Sequence, residues 1–241
     1  MKEEDLIKEA EHALQELEKK RMKRGVATSE PDSSKKSPWA YLAALLLLLL
    51  IIMMVVPYYG IKVDPHPKNI PTISEVAPYY LKQLVNETPG IPKASRSDYS
   101  QLIIYNHQAI KTMAARIATD SCEGMDLCYA KAIFYFVRDN FKYVGDPPDD
   151  YLESPFETIY TRGADCDGLA ILLANLESAI GVTARFAFIP GHAYVQVKID
   201  SAPNKYKQPD DWISLDPTCK TCEFGEIPYS TENKQKQYLY I

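Results

Sequence analysis

The sequence predicts an α+β fold preceded by a single membrane-spanning helix. Three observations carry this: an uncharged run over residues 39–56, helical periodicity between residues 102 and 180, and a switch to period two beyond Gly181. Helices first and an antiparallel sheet afterwards is the order of the α+β class. The 241 residues leave room for one or two domains, and 46% apolar with 24% charged residues is the balance of a globular protein. A net charge of −5 argues against nucleic acid as a partner, where basic faces dominate.

In chain order, residues 2–23 read as an amphipathic helix. Leu6, Ala10, Leu14 and Leu17 recur at helical spacing, with acids in the first turn and bases in the last, as the helix dipole favours. Thr28, Ser29, Pro31, Ser33 and Ser34 mark a linker that completes a cytoplasmic segment, residues 1–38. The uncharged run that follows would span ~27 Å at ~1.5 Å per residue, close to the ~30 Å hydrocarbon core. Pro38 and Pro57 bracket it, and Trp39, Tyr41, Tyr58 and Tyr59 sit where an aromatic belt belongs, so residues 39–59 are assigned to the membrane. The run starts too far from residue 1 for a signal peptide. Lys19, Lys20, Arg21, Lys23, Arg24, Lys35 and Lys36 precede the span, against Lys62 and Lys68 after it. The positive-inside bias then leaves the N-terminus cytoplasmic and the rest outside, as a single-pass protein of the cell membrane.

Residues 60–100 hold Pro65, Pro67, Pro71, Pro78, Pro89 and Pro92, which reads as an extended stalk. Asn86-Glu87-Thr88 is a glycosylation sequon on the outer side. The domain proper is assigned to residues 101–241. Leu102, Asn106, Ile110, Met113 and Ile117 make one helix face, and Leu127, Ala130, Phe134, Val137 and Phe141 a second. Residues 145–155 are rich in Pro and Asp and read as a loop. Residues 169–180 are apolar nearly all round and must form a buried central helix, stopped by Gly181. Strands follow over residues 183–189, 192–199 and 212–216.

Cys166, in Gly163-Ala164-Asp165-Cys166-Asp167-Gly168, falls at the start of that buried helix, where a thiol is biased toward thiolate. Asp165 and Asp167 push the other way, and one of them is expected to cap the helix. His192 opens a strand on the face away from Ala193 and Val195. A hairpin centred on Asn204 would set His192 directly opposite Asp216, with Cβ atoms ~5 Å apart, so that the carboxylate fixes the imidazole tautomer. Trp212 and Ser214 share the Asp216 face, which would give the cleft an aromatic wall.

Gly163-Ala164-Asp165-Cys166, the helix ending in Ile180-Gly181, then His192-Ala193-Tyr194, then Trp212-Ile213-Ser214-Leu215-Asp216-Pro217-Thr218 together resemble the transglutaminase-like superfamily. The resemblance spans roughly residues 100–228. It implies a papain-like core with Cys166 as nucleophile, His192 as general base and acid, and Asp216 as orienting carboxylate. Tyr194 and Trp212 are the implied substrate contacts. The reaction would be acyl transfer through a thioester on a protein or peptide substrate, without cofactor. Hydrolysis by a peptidase or amidase is favoured over cross-linking, because the chain lacks the extra β-domains and calcium loops of animal cross-linking enzymes. The competing reading is a surface module that binds peptide or glycopeptide without turnover.

Cys122, Cys128, Cys219 and Cys222 remain. Outside the membrane, disulfides are the default, and four cysteines allow three pairings. A structural zinc on the four, or a redox-active Cys219-x-x-Cys222, are the alternatives.

Overall fold

The computed structural model describes residues 38–145, 151–228 and 234–241, together with residues 12, 15, 16, 19 and 230. His12, Gln15, Glu16 and Lys19 are helical, while the rest of the expected amphipathic helix, the linker and residues 146–150 lie outside the described set. The chain divides into two units, Met1–Val55 and Val56–Ile241.

Beyond those four residues, the described part of the first unit belongs to α1, Pro38–Val63. Its side chains from Leu45 to Val56 are exposed on every face, and none of the apolar span is buried in protein. At ~1.5 Å per residue it is long and apolar enough to cross a membrane. The helix runs four residues past the assigned span of residues 39–59, through Pro57, to Val63. Trp39, Tyr41 and Tyr59 are exposed, and the side chain of Tyr58 lies outside the described set.

The second unit corrects the reading of residues 60–100. They are not an extended stalk but fold onto the domain as α2 (Ile73–Val76), α3 (Leu81–Glu87), β1 (Ile91–Pro92) and a 3-10 helix (Arg96–Leu102). The prolines separate short apolar pairs at one-turn spacing, and Ile73, Val76, Leu84, Tyr99 and Leu102 enter the core. Capping boxes at Thr72/Glu75 and Ser95/Asp98 start two of these turns. Asn86, in the sequon, is exposed on α3.

Two long helices follow, α4 (Gln108–Ser121) and α5 (Asp126–Asn140), joined by a disulfide between Cys122 and Cys128. The buried faces are those of the sequence pattern, with Ile110, Met113, Ile117, Leu127, Phe134 and Val137 all at 2% exposure or less. Between α5 and the central helix come β2 (Lys142–Tyr143), β3 (Tyr151–Leu152), α6 (Pro155–Thr161) and β4 (Gly163–Ala164). The Pro- and Asp-rich pattern reads as a loop to residue 155, yet a helix starts there: Ser154 and Glu157 form a capping box with Pro155 in the first turn. The central α7, Cys166–Ala179, is buried on every face from Gly168 to Glu177. Asn175 is a polar anchor in its middle: its amide bonds Ile104 N–H, Leu102 C=O and Ile171 C=O, fastening the N-terminal segment to it.

Among the described residues the main sheet has the order β7-β6-β5-β8, antiparallel throughout. It comprises β5 (Thr183–Ile189), β6 (His192–Lys198), β7 (Ile213–Leu215) and β8 (Gln237–Tyr240), the last absent from the sequence reading. Phe186, Phe188, Ala193, Val195 and Val197 face the helical core. The opposite face is not open: Ala187, Ile189 and Tyr194 form a second buried cluster with Ile227. Pro190-Gly191 makes the β5–β6 turn with Gly191 at φ +74°, a conformation few residues other than glycine adopt cheaply, and so fixes His192 as the first residue of β6.

Candidate active site

Two loops and one helix end bring the chemistry together. Asp165 is the N-cap of α7, and its Oδ1 accepts from Asp167 N–H (2.9 Å) and Gly168 N–H (3.0 Å). This carboxylate therefore builds the helix start on which Cys166 stands. Gly168 is required there, since a Cβ would lie 2.7 Å from Ala164 Cβ and 2.8 Å from a Glu153 oxygen. The parallel pairing of β4 with β2 holds Gly163 and Ala164, the residues leading into the cap. Among the described residues no acceptor bonds the Cys166 N–H, which leaves it available at the helix N-terminus.

On the other wall, His192 Nε2 and Asp216 Oδ2 are 2.8 Å apart. Asp216 is 1% exposed, and its second oxygen accepts from Thr218 N–H (3.0 Å) and Thr218 Oγ1 (2.6 Å). Burial alone would raise the Asp216 carboxyl; the bonds from His192 and Thr218 outweigh it and hold the group below the usual carboxylate range. The side chain is thus a fixed anion against the ring. With Nε2 committed to Asp216, Nδ1 is the nitrogen left for a reacting group.

The sequence expectation paired His192 and Asp216 by register, and the register itself is corrected. Gln196 lies opposite Ser214, not Trp212, so the ladder is displaced by two residues. A slip of two keeps each side chain on its face, whereas a slip of one would have reversed it. Asp216 therefore reaches His192 diagonally, just past the end of β7. The pairing survives; the geometry that was to produce it does not.

Cys166, His192, Asp165, Asp167, Arg96 and Tyr99 are among the residues lining one cleft of about 490 Å³. Cys166 is 9% exposed, and the Ala193 backbone N–H, beside His192, acts on its sulfur as a hydrogen-bond donor. Its S–H donates to Asp167 Oδ1 at 3.3 Å. Burial first and the Asp167 charge second push the thiol up, with the Ala193 N–H working against them. Cys166 is the one free cysteine of the chain.

The implied substrate contacts are corrected. Tyr194 is wholly buried, stacked on the His192 ring (centroids 6.2 Å) and facing Ile227. Trp212 is 8% exposed, with the Arg185 guanidinium 4.1 Å from its ring and Tyr240 on its edge. Ile227 covers Tyr194, and Arg185 and Tyr240 pack on Trp212, so neither is among the residues that line the cleft. The cleft takes instead Tyr143 from β2, Phe188 from β5, and Arg96 and Tyr99 from the 3-10 helix. Arg96 lies 5.2 Å over Phe188 and donates to Gln237. Sequence reasoning missed Arg96 and Tyr99, because nothing local announces that a proline-rich segment returns to a cleft formed some 70 to 120 residues later.

The four remaining cysteines form Cys122–Cys128 and Cys219–Cys222 disulfides. With each sulfur bonded to another, the zinc alternative falls, since a zinc site needs free thiolates. The second bridge closes the turn just after Asp216. Arg138 donates to Cys222 C=O (2.8 Å) and Lys220 to Phe141 C=O (2.5 Å), so that turn is fastened to the end of α5.

Residues 111–217 match the family model described as the transglutaminase-like superfamily. No curated protein matches. Among solved structures, a candidate cysteine protease from Cytophaga hutchinsonii is similar with 18% identity and a TM-score of 0.38, over 52% of this chain; this chain spans 43% of that one. LapG of Legionella pneumophila is similar with 17% identity and a TM-score of 0.39, over 69% of this chain and 82% of that one. Its EGTA-treated form gives 16% identity and a TM-score of 0.40.

Proposed function

On the premise that residues 111–217 belong to the transglutaminase-like superfamily, we propose that this chain is a membrane-anchored cysteine enzyme that cleaves peptide or side-chain amides by acyl transfer. The observation that carries the reading is the buried His192–Asp216 pair at 2.8 Å, in the cleft lined by the chain's free cysteine. In the proposed cycle the Cys166 proton passes to His192 Nδ1, and the sulfur attacks the substrate carbonyl carbon. The oxyanion that develops is met by the Cys166 N–H at the α7 N-terminus. The imidazolium returns its proton to the leaving amine as the C–N bond breaks, giving a thioester and a free amine. Water, deprotonated by His192, then attacks the thioester carbonyl; the thiol is regenerated and a carboxylic acid leaves. An amine acceptor in place of water would give transamidation by the same steps. Asp216 keeps the ring oriented and steadies its charged form.

The apolar helix supports anchoring, the basic residues before it support an outward-facing domain, and the two disulfides suit an oxidising compartment. Full-length protein in detergent, offered a peptide library with and without a primary amine, tests the chemistry by mass spectrometry. Cleavage lost in Cys166→Ala supports the reading, and amine incorporation would move it from hydrolysis to transfer. Products that persist unchanged in Cys166→Ala would end it. Protection of the domain from protease in sealed, right-side-out cells would refute the topology. The non-catalytic reading has one observation in its favour, a Cys166 thiol only 9% exposed that burial and the Asp167 charge push up.

A further inference from the structure

We propose that Asp167 is a positioning residue that holds Cys166 in a resting, protonated state, so that catalysis begins only when this carboxylate is neutralised or turned aside. The proposal rests on the enzymatic reading above and names how the same site is held in check.

The two acids flanking the sulfur have different tasks. Asp165 is spent on the helix cap and accepts two N–H groups, so it is fixed. Asp167 caps nothing, and its Oδ1 accepts the Cys166 S–H at 3.3 Å. Among the described residues the thiol makes no hydrogen bond to His192 Nδ1. The proton that must pass to the imidazole therefore points at a carboxylate instead.

Asp167 is itself held. The Tyr99 hydroxyl faces it, and after burial the Asp167 charge and hydrogen bond are the largest influences raising that phenol. Tyr99 is 4% exposed and clamped edge-on by Phe186 (5.0 Å) and Phe188 (4.9 Å), so it has little freedom to leave. The clamp comes from the 3-10 helix, outside the segment that matches the family model. Other charged or titratable groups near the thiol are His192 from β6, Arg96 from the 3-10 helix, Tyr143 from β2, and Glu153 behind Gly168. The α7 N-terminus and the Ala193 N–H favour thiolate; Asp167 and burial oppose it and prevail.

The test is the pH profile of Cys166 alkylation by iodoacetamide in full-length protein, read by mass spectrometry on the Cys166 peptide with Cys166→Ala as blank. The wild-type midpoint should lie above the ~8.5 of an unperturbed thiol. Asp167→Asn and Asp167→Ser should each lower it by one unit or more, raising the alkylation rate at pH 7.5 about tenfold. Asp167→Glu, which keeps the charge, should stay near wild type, a rescue that a purely structural role would not produce. A thermal melt of each variant shows whether it is folded, and two neutral replacements guard against one failing to fold. Unchanged or higher midpoints in Asp167→Asn and Asp167→Ser, or a Glu variant shifted as far as they are, would overturn the proposal. Alkylation needs no substrate, so this result stands apart from turnover. Peptide cleavage unaffected by Cys166→Ala or His192→Ala would refute the enzyme and leave the midpoint shift to judge Asp167 alone.

Discussion

Asp216 and Glu177 are both buried acids, and their surroundings drive them in opposite directions. Asp216 has partners on both oxygens and is held below its usual range. Its stabilising contribution is therefore present above the unfolded value of 3.8 and lost as pH falls through the folded value. Asp216→Asn should leave the fold in place while letting the ring adopt the wrong tautomer, lowering kcat by about 10²–10⁴-fold in a peptide-cleavage assay. Glu177 sits near the end of α7 with neither carboxylate oxygen bonded, and burial raises it well above 4.5. A raised folded value means that stability is intact below about pH 4.5 and declines as pH rises toward the folded value. Glu177→Gln should consequently melt several degrees higher than wild type at neutral pH, roughly 2–4 °C per kcal/mol for a domain of this size. The difference should shrink toward pH 4 in a calorimetric series; a gap that stayed constant with pH would mean that the carboxyl is not the cause.

At the scale of elements, the site depends on how tightly a helix start and a strand end are fixed. The α7 N-terminus approaches β4 and the Glu153 segment so closely that Gly168→Ala would force backbone or side-chain shifts. We expect about 1–3 kcal/mol of destabilisation, read from a denaturant midpoint, with a slower alkylation of Cys166. The opposite wall ends in the Cys219–Cys222 turn, fastened to α5 through Arg138 and Lys220. So short a loop removes little unfolded-chain entropy, and the double Cys219→Ser, Cys222→Ser variant should lose only about 2 kcal/mol. Activity should fall more than that stability change suggests, because the Thr218 groups that bond Asp216 belong to the same turn. Parallel melting and cleavage measurements separate the two effects.

For the molecule as a whole, the domain is larger than its family segment. Asp64, just past the end of α1, bonds Lys131 (2.5 Å), Lys205 (2.5 Å) and Tyr206, while Lys131 is wholly buried and also donates to Pro65 C=O (3.0 Å). Burial alone would raise Asp64, but these bonds hold its carboxyl far below the usual range. Removing one partner strands a buried charge, so Lys131 without its carboxylate is costly. Asp64→Asn should destabilise the domain by about 3–5 kcal/mol at pH 7. The gap should close as acid protonates Asp64 in the wild type, since a depressed group loses its contribution when pH falls through the folded value. Equal melts at pH 7 would show that the cluster is not a structural pin.

The central helix and the apolar span were legible from the sequence alone, because each is written in local pattern, and Cys166, His192 and Asp216 stood out there as candidates through the ordered motifs of a family resemblance. A buried helix needs apolar residues on every face, a strand alternates, and a span of lipid needs an uncharged run. Only the tertiary structure decided what those elements meet. The return of residues 64–107 to the core, the cover of Ile227 over Tyr194, the two-residue register shift and the Tyr99–Asp167 contact beside the thiol are all long-range. Such contacts are fixed by which surfaces fit once the chain has closed, and no local periodicity encodes a partner 70 residues away.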